Sequence, residues 1–299
     1  MLLCAAAGAQ GLHKYRGADG EWVYSDRAPA DGTPVEIREL PLGMQQPDVR
    51  VSRVLSDGQV RILAQNEYFA PVEIVIALDR LQNVVAPDAQ QSMRWVLPPR
   101  SETELLRLDA SGDAAAPDVA YRYVWLPGDP AALHRPERAY RAPFAAARSF
   151  NITQAFPLSV THSTPDSRYA VDIAMPVGTD IYAARAGTVV EVASSNFRGG
   201  ADTSRPGAAA NIVRVLHNDG TFAVYVHLNW NSIRVRPGDA VVRGQYIADS
   251  GNTGFSTGPH LHFVVMRNRG LRLESVPIEF AGRSNSRITP ETGMQLTAY

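Results

Sequence analysis

Gly251-Asn252-Thr253-Gly254-Phe255-Ser256-Thr257-Gly258-Pro259-His260-Leu261-His262-Phe263 is the stretch whose reading decides the fold. Its three glycines, set among small polar residues, permit tight backbone turns, and the continuation His-Leu-His-Phe-Val-Val-Met alternates as a strand does. Successive side chains of a strand point to opposite faces. His260 and His262 therefore project side by side, while Leu261, Phe263 and Val265 face a core. Two imidazoles on one wall of a cleft point to metal chemistry.

The histidines are not spread evenly. Five of the seven fall between His162 and His262, in a segment that reads as strands and turns. Residues 221–228 alternate, with Phe222, Val224, Val226 and Leu228 expected on the core face and Ala223, Tyr225 and His227 on the other. The preceding strand, 211–217, joins it through Asn218-Asp219-Gly220, a hairpin signal. Upstream, His162 precedes the apolar run Ala170-Val171-Asp172-Ile173-Ala174-Met175-Pro176, which contains one acidic residue. A carboxylate there is costly to desolvate unless a cation or hydrogen bonds compensate it. His162, Asp172 and one histidine of the His-Leu-His pair form a two-nitrogen, one-oxygen set, the pattern of a catalytic rather than a structural zinc site.

Five pieces in this order carry a resemblance. They are His162 followed by Ala170-Val171-Asp172-Ile173-Ala174-x-Pro176-x-Gly178-Thr179; Ala183-Ala184-x-x-Gly187-Thr188-Val189-Val190; Tyr225-x-His227-Leu228; Val235-x-x-Gly238-Asp239-x-Val241-x-x-Gly244-Gln245; and the opening stretch through Phe263. Residues 150–268 resemble the M23 family of zinc metallopeptidases, the lysostaphin-type peptidoglycan endopeptidases. The resemblance implies a β-rich, two-sheet domain with a narrow groove, a Zn2+ cofactor held by His162, Asp172 and His262, and substrates among the peptides of the bacterial cell wall. It implies that His227 and His260 are non-ligand catalytic histidines, one taking a proton and later delivering it to the leaving amine, with Tyr225 helping to hold the oxyanion. Compact members of the family read His-x-Gly-x-Asp at the first two ligands, whereas Ser163 and Thr164 follow His162 here. Asp166 is the competing ligand at the short spacing, but it lies in a polar Pro-Asp-Ser turn.

The rest of the chain reads as accessory. Residues 48–130 show short strand-like runs at 49–54, 59–63, 72–78, 93–97, 102–108 and 120–125, separated by Asn, Asp, Gly and Pro, which favours an antiparallel β-sandwich without catalytic residue types. Residues 11–40 suggest two aromatic strands across an Asp-Gly turn. The fold class is therefore mainly β and multi-domain, with an N-terminal β-sandwich and a C-terminal two-sheet, β-rich, lysostaphin-type peptidase domain. The expected divisions are 1–9 a signal-peptide remnant, 10–45 a small β module, 46–130 the sandwich, 131–149 a surface linker bearing His134, 150–280 the peptidase domain and 281–299 a polar tail. Residues 194–210 read as a Gly-rich insertion that lines the groove, covers it or stands away from it. His217 reads as a surface or strand-pairing residue.

Composition sets the remaining expectations. With 299 residues, net charge −1 and 45% hydrophobic residues, the chain is long enough for two or three cores and gives no electrostatic case for nucleic acid. The lone cysteine, Cys4, lies in an apolar opening that resembles the end of a signal peptide, with lipidation of Cys4 a weaker alternative. No run approaches a transmembrane segment. These features imply a periplasmic or secreted protein of the bacterial envelope. A second reading is a non-catalytic M23-like module that binds the wall or activates another wall hydrolase, and a third is a wall-anchored structural or carbohydrate-binding protein. Residues 126–149 or the sandwich are expected to block the groove in part until a regulatory envelope protein moves them.

Overall fold

The computed structural model describes residues 11–17, 22–25, 29, 32–39, 47–85, 93–111, 116–200 and 209–299. The signal-like opening, the Asp-Gly turn expected near residue 20 and the centre of the Gly-rich insertion, 201–208, lie outside the described residues. Among the described residues the regular elements are all strands except one short 3-10 turn at Arg283–Asn285, with no α-helix. None forms a helix long and apolar enough to cross a membrane.

The chain begins with β1 (Gly11–Arg16), β2 (Trp22–Ser25) and β3 (Glu36–Glu39), a three-stranded antiparallel sheet ordered β2-β1-β3. There follow β4 (Val49–Ser56), β5 (Gln59–Asn66), β6 (Val72–Gln82), β7 (Met93–Leu97), β8 (Glu102–Asp109) and β9 (Asp118–Pro127). They pair antiparallel as two three-stranded sheets, β4-β5-β8 and β7-β6-β9. All six runs expected between residues 49 and 125 are strands.

The next elements are β10 (Ser149–Gln154), β11 (Val171–Ala174), β12 (Asp180–Tyr182), β13 (Gly187–Ala193), β14 (Gly199–Gly200), β15 (Ile212–Leu216), β16 (Phe222–Val226), β17 (Ala240–Val241) and β18 (Tyr246–Asp249). The chain ends with β19 (Gly254–Phe255), β20 (His260–Asn268), β21 (Leu273–Ser275), β22 (Phe280–Ala281), β23 (Arg287–Ile288) and β24 (Gln295–Thr297). A nine-stranded sheet runs β17-β13-β15-β16-β20-β11-β10-β24, with β21 also on β20. The expected hairpin is present. His217 N–H donates to Thr221 O at 2.8 Å, and Gly220 takes a φ of 80° that its lack of Cβ permits.

Alternation along β20 and β16 separates two cores. Leu261, Phe263, Val265, Ala223 and Tyr225 join one buried cluster with Tyr140, Phe144 and Phe280. Val264, Met266, Phe222 and Val224, on the other face, join a cluster with Val60, Ile62, Ile74, Ile76 and Leu105 from β5, β6 and β8. Both faces of the central strands are covered, as in a buried sheet, so the expectation that Ala223 and Tyr225 share a functional face is corrected. The Tyr225 hydroxyl accepts Ala184 N–H at 2.7 Å inside the core, where burial pushes its pKa up, and it takes no part in the cleft.

Two further expectations are corrected. Residues 131–149 are not a surface linker: Tyr140, Ala142 and Phe144 are at most 1% exposed in the cluster that holds Phe263 and Phe280, and His134 Nε2 meets the Tyr140 hydroxyl at 3.1 Å. Residues 281–299 are not a tail, since β24 pairs with β10 and Leu296 and Ala298 are buried. Both segments look polar because their few apolar residues are scattered among Arg, Pro and Ser. Those apolar residues fill the edge of the core.

A polar clasp fastens the N-terminal strands to β20. Glu73 of β6 is fully buried. One carboxylate oxygen accepts from Arg94, and the other accepts Asn268 Nδ2 at 2.8 Å and Leu271 N–H at 2.7 Å. Glu73→Ala removes the acceptor of Leu271 N–H and one of the two acceptors of Asn268 Nδ2, and is expected to cost about 3 kcal/mol in chemical denaturation.

His217, expected at the surface, is 2% exposed. Its Nδ1–H donates to Ala186 O at 2.8 Å, and burial pushes its pKa down to about 4. The unfolded chain titrates this histidine near pH 6.5, so between 6.5 and 4 the unfolded state holds more protons and stability falls as pH falls. From pH 7 to pH 5 the expected loss from this residue is about 2 kcal/mol. Denaturation of His217→Gln at the two pH values should show a correspondingly shallower slope.

Candidate metal centre and catalytic cleft

Register brings the site together. In the β11–β20 pair Asp172 stands opposite His262 and Ala174 opposite His260, and in the β16–β20 pair Val226 stands opposite His262. Asp172, 4% exposed, is the acidic residue that the apolar run Ala170–Pro176 contains. His262 Nδ1 lies 2.9 Å from Asp172 Oδ1, His162 Nε2 lies 3.2 Å from Asp172 Oδ2, and His260 Nε2 is 3.8 Å from Oδ1. One donor atom each from His162, Asp172 and His262 falls within a 4.8 Å cluster.

Electrostatics explains why a carboxylate tolerates this position. Burial raises the pKa of Asp172, but hydrogen bonds from His162 and His262 outweigh it and hold the carboxyl well below the usual carboxylate range. The donor set fits a divalent cation. Without one, each imidazole nitrogen facing Asp172 must carry a proton to satisfy it. Deprotonated, the same nitrogens offer lone pairs beside an anionic oxygen, the two-nitrogen, one-oxygen combination suited to catalytic zinc. Asp166, the competing residue, is exposed and outside this cluster.

His227 and His260 are arranged differently. Each uses Nδ1–H to hold a backbone carbonyl, Thr253 O at 2.7 Å for His227 and Gly258 O at 2.8 Å for His260. A carbonyl can only accept, which fixes the tautomer and leaves each Nε2 with a free lone pair when the ring is neutral. Burial pushes the His227 pKa down to about 4, against the bond to Thr253, so the ring is neutral at physiological pH. The two ring centroids are 4.6 Å apart.

The alternation expected for residues 221–228 fails at His227. It follows β16 with a φ of 64°, a left-handed conformation that turns it out of the strand and into the cleft. The quoted glycines make this possible. A Cβ on Gly251 would lie 2.6 Å from Asn229 backbone atoms, and one on Gly254, itself at φ 81°, would lie 2.7 Å from Ala210.

All four histidines and Asp172 line one open cleft of about 450 Å³, together with Gln154, Thr161, Phe255 and Ser256. Every lining residue lies between Gln154 and His262, so among the described residues neither 126–149 nor β4 to β9 obstructs it. The expectation of a blocked groove is corrected accordingly. The insertion touches the cleft from the side, with β14 pairing parallel to β19 and Ser256 N–H reaching Gly200 O at 3.2 Å.

The sequence of residues 166–273 matches Peptidase family M23. The match lies within the second half of the chain. The M23 match takes in Asp172, His227, His260 and His262 but begins after His162, which the fold alone brings to them. The chain is 41% identical over 101 residues to lysostaphin of Staphylococcus simulans, covering 33% of this chain and 18% of lysostaphin. It is 38% identical over 114 residues to glycyl-glycine endopeptidase ALE-1 of Staphylococcus capitis, covering 38% of this chain and 27% of that protein. Against peptidoglycan DD-endopeptidase ShyA of Vibrio cholerae the identity is 36% over 111 residues, 37% of this chain and 23% of ShyA. The chain thus spans less than a third of the length of each of these relatives.

One polar residue of the cleft escaped the sequence reading. Gln154 lies in β10, outside the M23 match, and no spacing signals that it faces Asp172. The cluster generates a discriminating expectation: Asp172→Ala loses zinc uptake in equilibrium dialysis, whereas Asp166→Ala takes up zinc as the parent does.

Proposed function

We propose that this protein is a zinc-dependent endopeptidase of the bacterial envelope, periplasmic or secreted, that hydrolyses peptide bonds of cell-wall peptidoglycan. The observation that carries the reading is the convergence, in one open cleft, of His162, Asp172 and His262 with two further histidines tethered through Nδ1. His162, Asp172 and His262 hold the cation. Bound zinc supplies Lewis acidity toward the scissile carbonyl and toward water.

The chain's own groups handle the protons. Neutral His227, with Nε2 open and Nδ1 held by Thr253, is placed to accept a proton from attacking water. The imidazolium so formed can hold negative charge developing on the carbonyl oxygen. The proton taken up by His227 Nε2 can then pass to the departing amine, restoring the neutral ring, while His260 Nε2, on the Asp172 side of the cleft, offers a second acceptor toward water or substrate N–H. Because both Nδ1 positions are occupied by carbonyls, neither ring can flip without losing a hydrogen bond, so the reactive nitrogens are preorganised.

Peptidoglycan as the substrate class is supported by the name of the relative ShyA, and glycyl-glycine cleavage by that of ALE-1. An extended peptide suits a cleft open along its length.

The test is zinc content together with release of soluble peptides from purified peptidoglycan, for the full chain and for His260→Ala. The wild type should carry about one zinc and release peptides, and His260→Ala should keep its zinc with a rate about 100-fold lower or less. Zinc without peptide release in the wild type would favour the non-catalytic module, and absence of both would remove the metallopeptidase reading.

A further inference from the structure

Gln154 joins two parts of the cleft, the Asp172 carboxylate and the segment that leads to His162. Its Nε2 donates to Asp172 Oδ2 at 2.6 Å and to Thr161 Oγ1 at 3.0 Å. Its Oε1 accepts Val160 N–H at 2.8 Å and Thr161 N–H at 3.1 Å. A register shift between Ile152 and Gln154 sets the residue opposite Asp172 across the β10–β11 pair. A primary amide suits this position because it donates from one atom and accepts at the other without adding a charge beside a cation site.

The segment that Gln154 secures is apolar and exposed. Phe156, Leu158 and Val160 are 45%, 72% and 90% exposed, between cleft-lining Gln154 and Thr161. A second anchor holds this segment without touching Asp172. The Thr292 hydroxyl accepts Ala155 N–H at 2.9 Å and donates to Leu158 O at 2.6 Å. The segment is thus tied to the carboxylate through one residue and to the C-terminal strands through another.

We infer that Gln154 is a positioning residue that fixes the Asp172 carboxylate for cation binding and couples its orientation to the apolar segment 155–161. This rests on the metal reading of the site. A carboxylate that is already oriented loses less freedom when it takes up a cation, and hydrogen-bonding partners of metal ligands typically contribute about 10–100-fold in metal affinity. Occupancy of the apolar segment by substrate side chains would then be felt at Asp172 through the same amide.

The experiment measures zinc affinity of the full chain by competition with a chromophoric chelator, for wild type, Gln154→Ala, Gln154→Met and Thr292→Ala. Gln154→Met keeps nearly the original volume while removing both hydrogen-bonding functions, so it serves where the alanine variant does not fold. The expected result is a loss of about 10–100-fold in zinc affinity for the Gln154 variants and none for Thr292→Ala. Wild-type affinity in Gln154→Met overturns the inference, and so does an equal loss in Thr292→Ala, which would mean that packing of the segment alone matters. A wild type that takes up no zinc overturns the metal reading, and the inference falls with it.

Discussion

A carboxylate buried on the central sheet sets the terms for everything around it. Asp172 has a side chain 5% exposed, and burial of a charge that size is tolerable only if opposite charge or hydrogen bonds surround it. The chain meets that demand from three separate places: His262 across the β11–β20 pair, His162 from the loop before β11, and Gln154 from β10. No two of these are sequence neighbours. The fold has to be complete before the carboxylate is compensated, so forming the site and completing the sheet are one event.

The same sheet face serves two purposes along its length. At one register position it carries Asp172, His262 and Val226. One and two pairs further along it carries Val264 with Val224, then Met266 with Phe222, and these are buried against β5, β6 and β8. The N-terminal strands therefore cover the continuation of the cleft floor. With Glu73 clasped to Asn268 and Leu271, the accessory strands are fixed against the sheet beyond the cleft. Cutting the chain near residue 140 would expose Phe222, Val224, Val264 and Met266 to water, so a fragment shortened there differs from the full chain in its core.

Much of this was legible from residue order, for reasons that can be stated. Strand alternation placed His260 and His262 together and Leu261, Phe263 and Val265 inside, because a side-chain period of two leaves no other choice once one face is buried. The acidic residue of an apolar run flagged Asp172. What failed was information carried by the far side of each element. Ala223 and Tyr225 read as lying on the face away from the core, because nothing local says that both faces of a strand meet one. Tyr140 and Leu296 sit in segments whose average composition is polar, and they are buried by partners more than 100 residues away, Phe263 and Phe280 for the first and Phe150 for the second. Gln154 gave no signal, since a glutamine becomes informative only when the register across from it is known.

His227 shows how a departure from regular structure can bring a side chain into the cleft. Continued strand geometry would have put its ring on the face of Tyr225, in the apolar core. The left-handed φ of 64° redirects it, at a cost a non-glycine residue bears only where surroundings compensate. Two compensations are visible: the Nδ1–H bond to Thr253 O, and close backbone packing at Gly251, which has room for no Cβ beside Asn229. The glycine-rich stretch preceding His260 therefore does more than turn the chain. It supplies the carbonyls that set the tautomers of both tethered histidines, Thr253 for His227 and Gly258 for His260. The arrangement explains why small residues and histidines occur together there: the loop must come close enough to hold two imidazoles by their far nitrogens, and only a backbone largely free of side chains can do so.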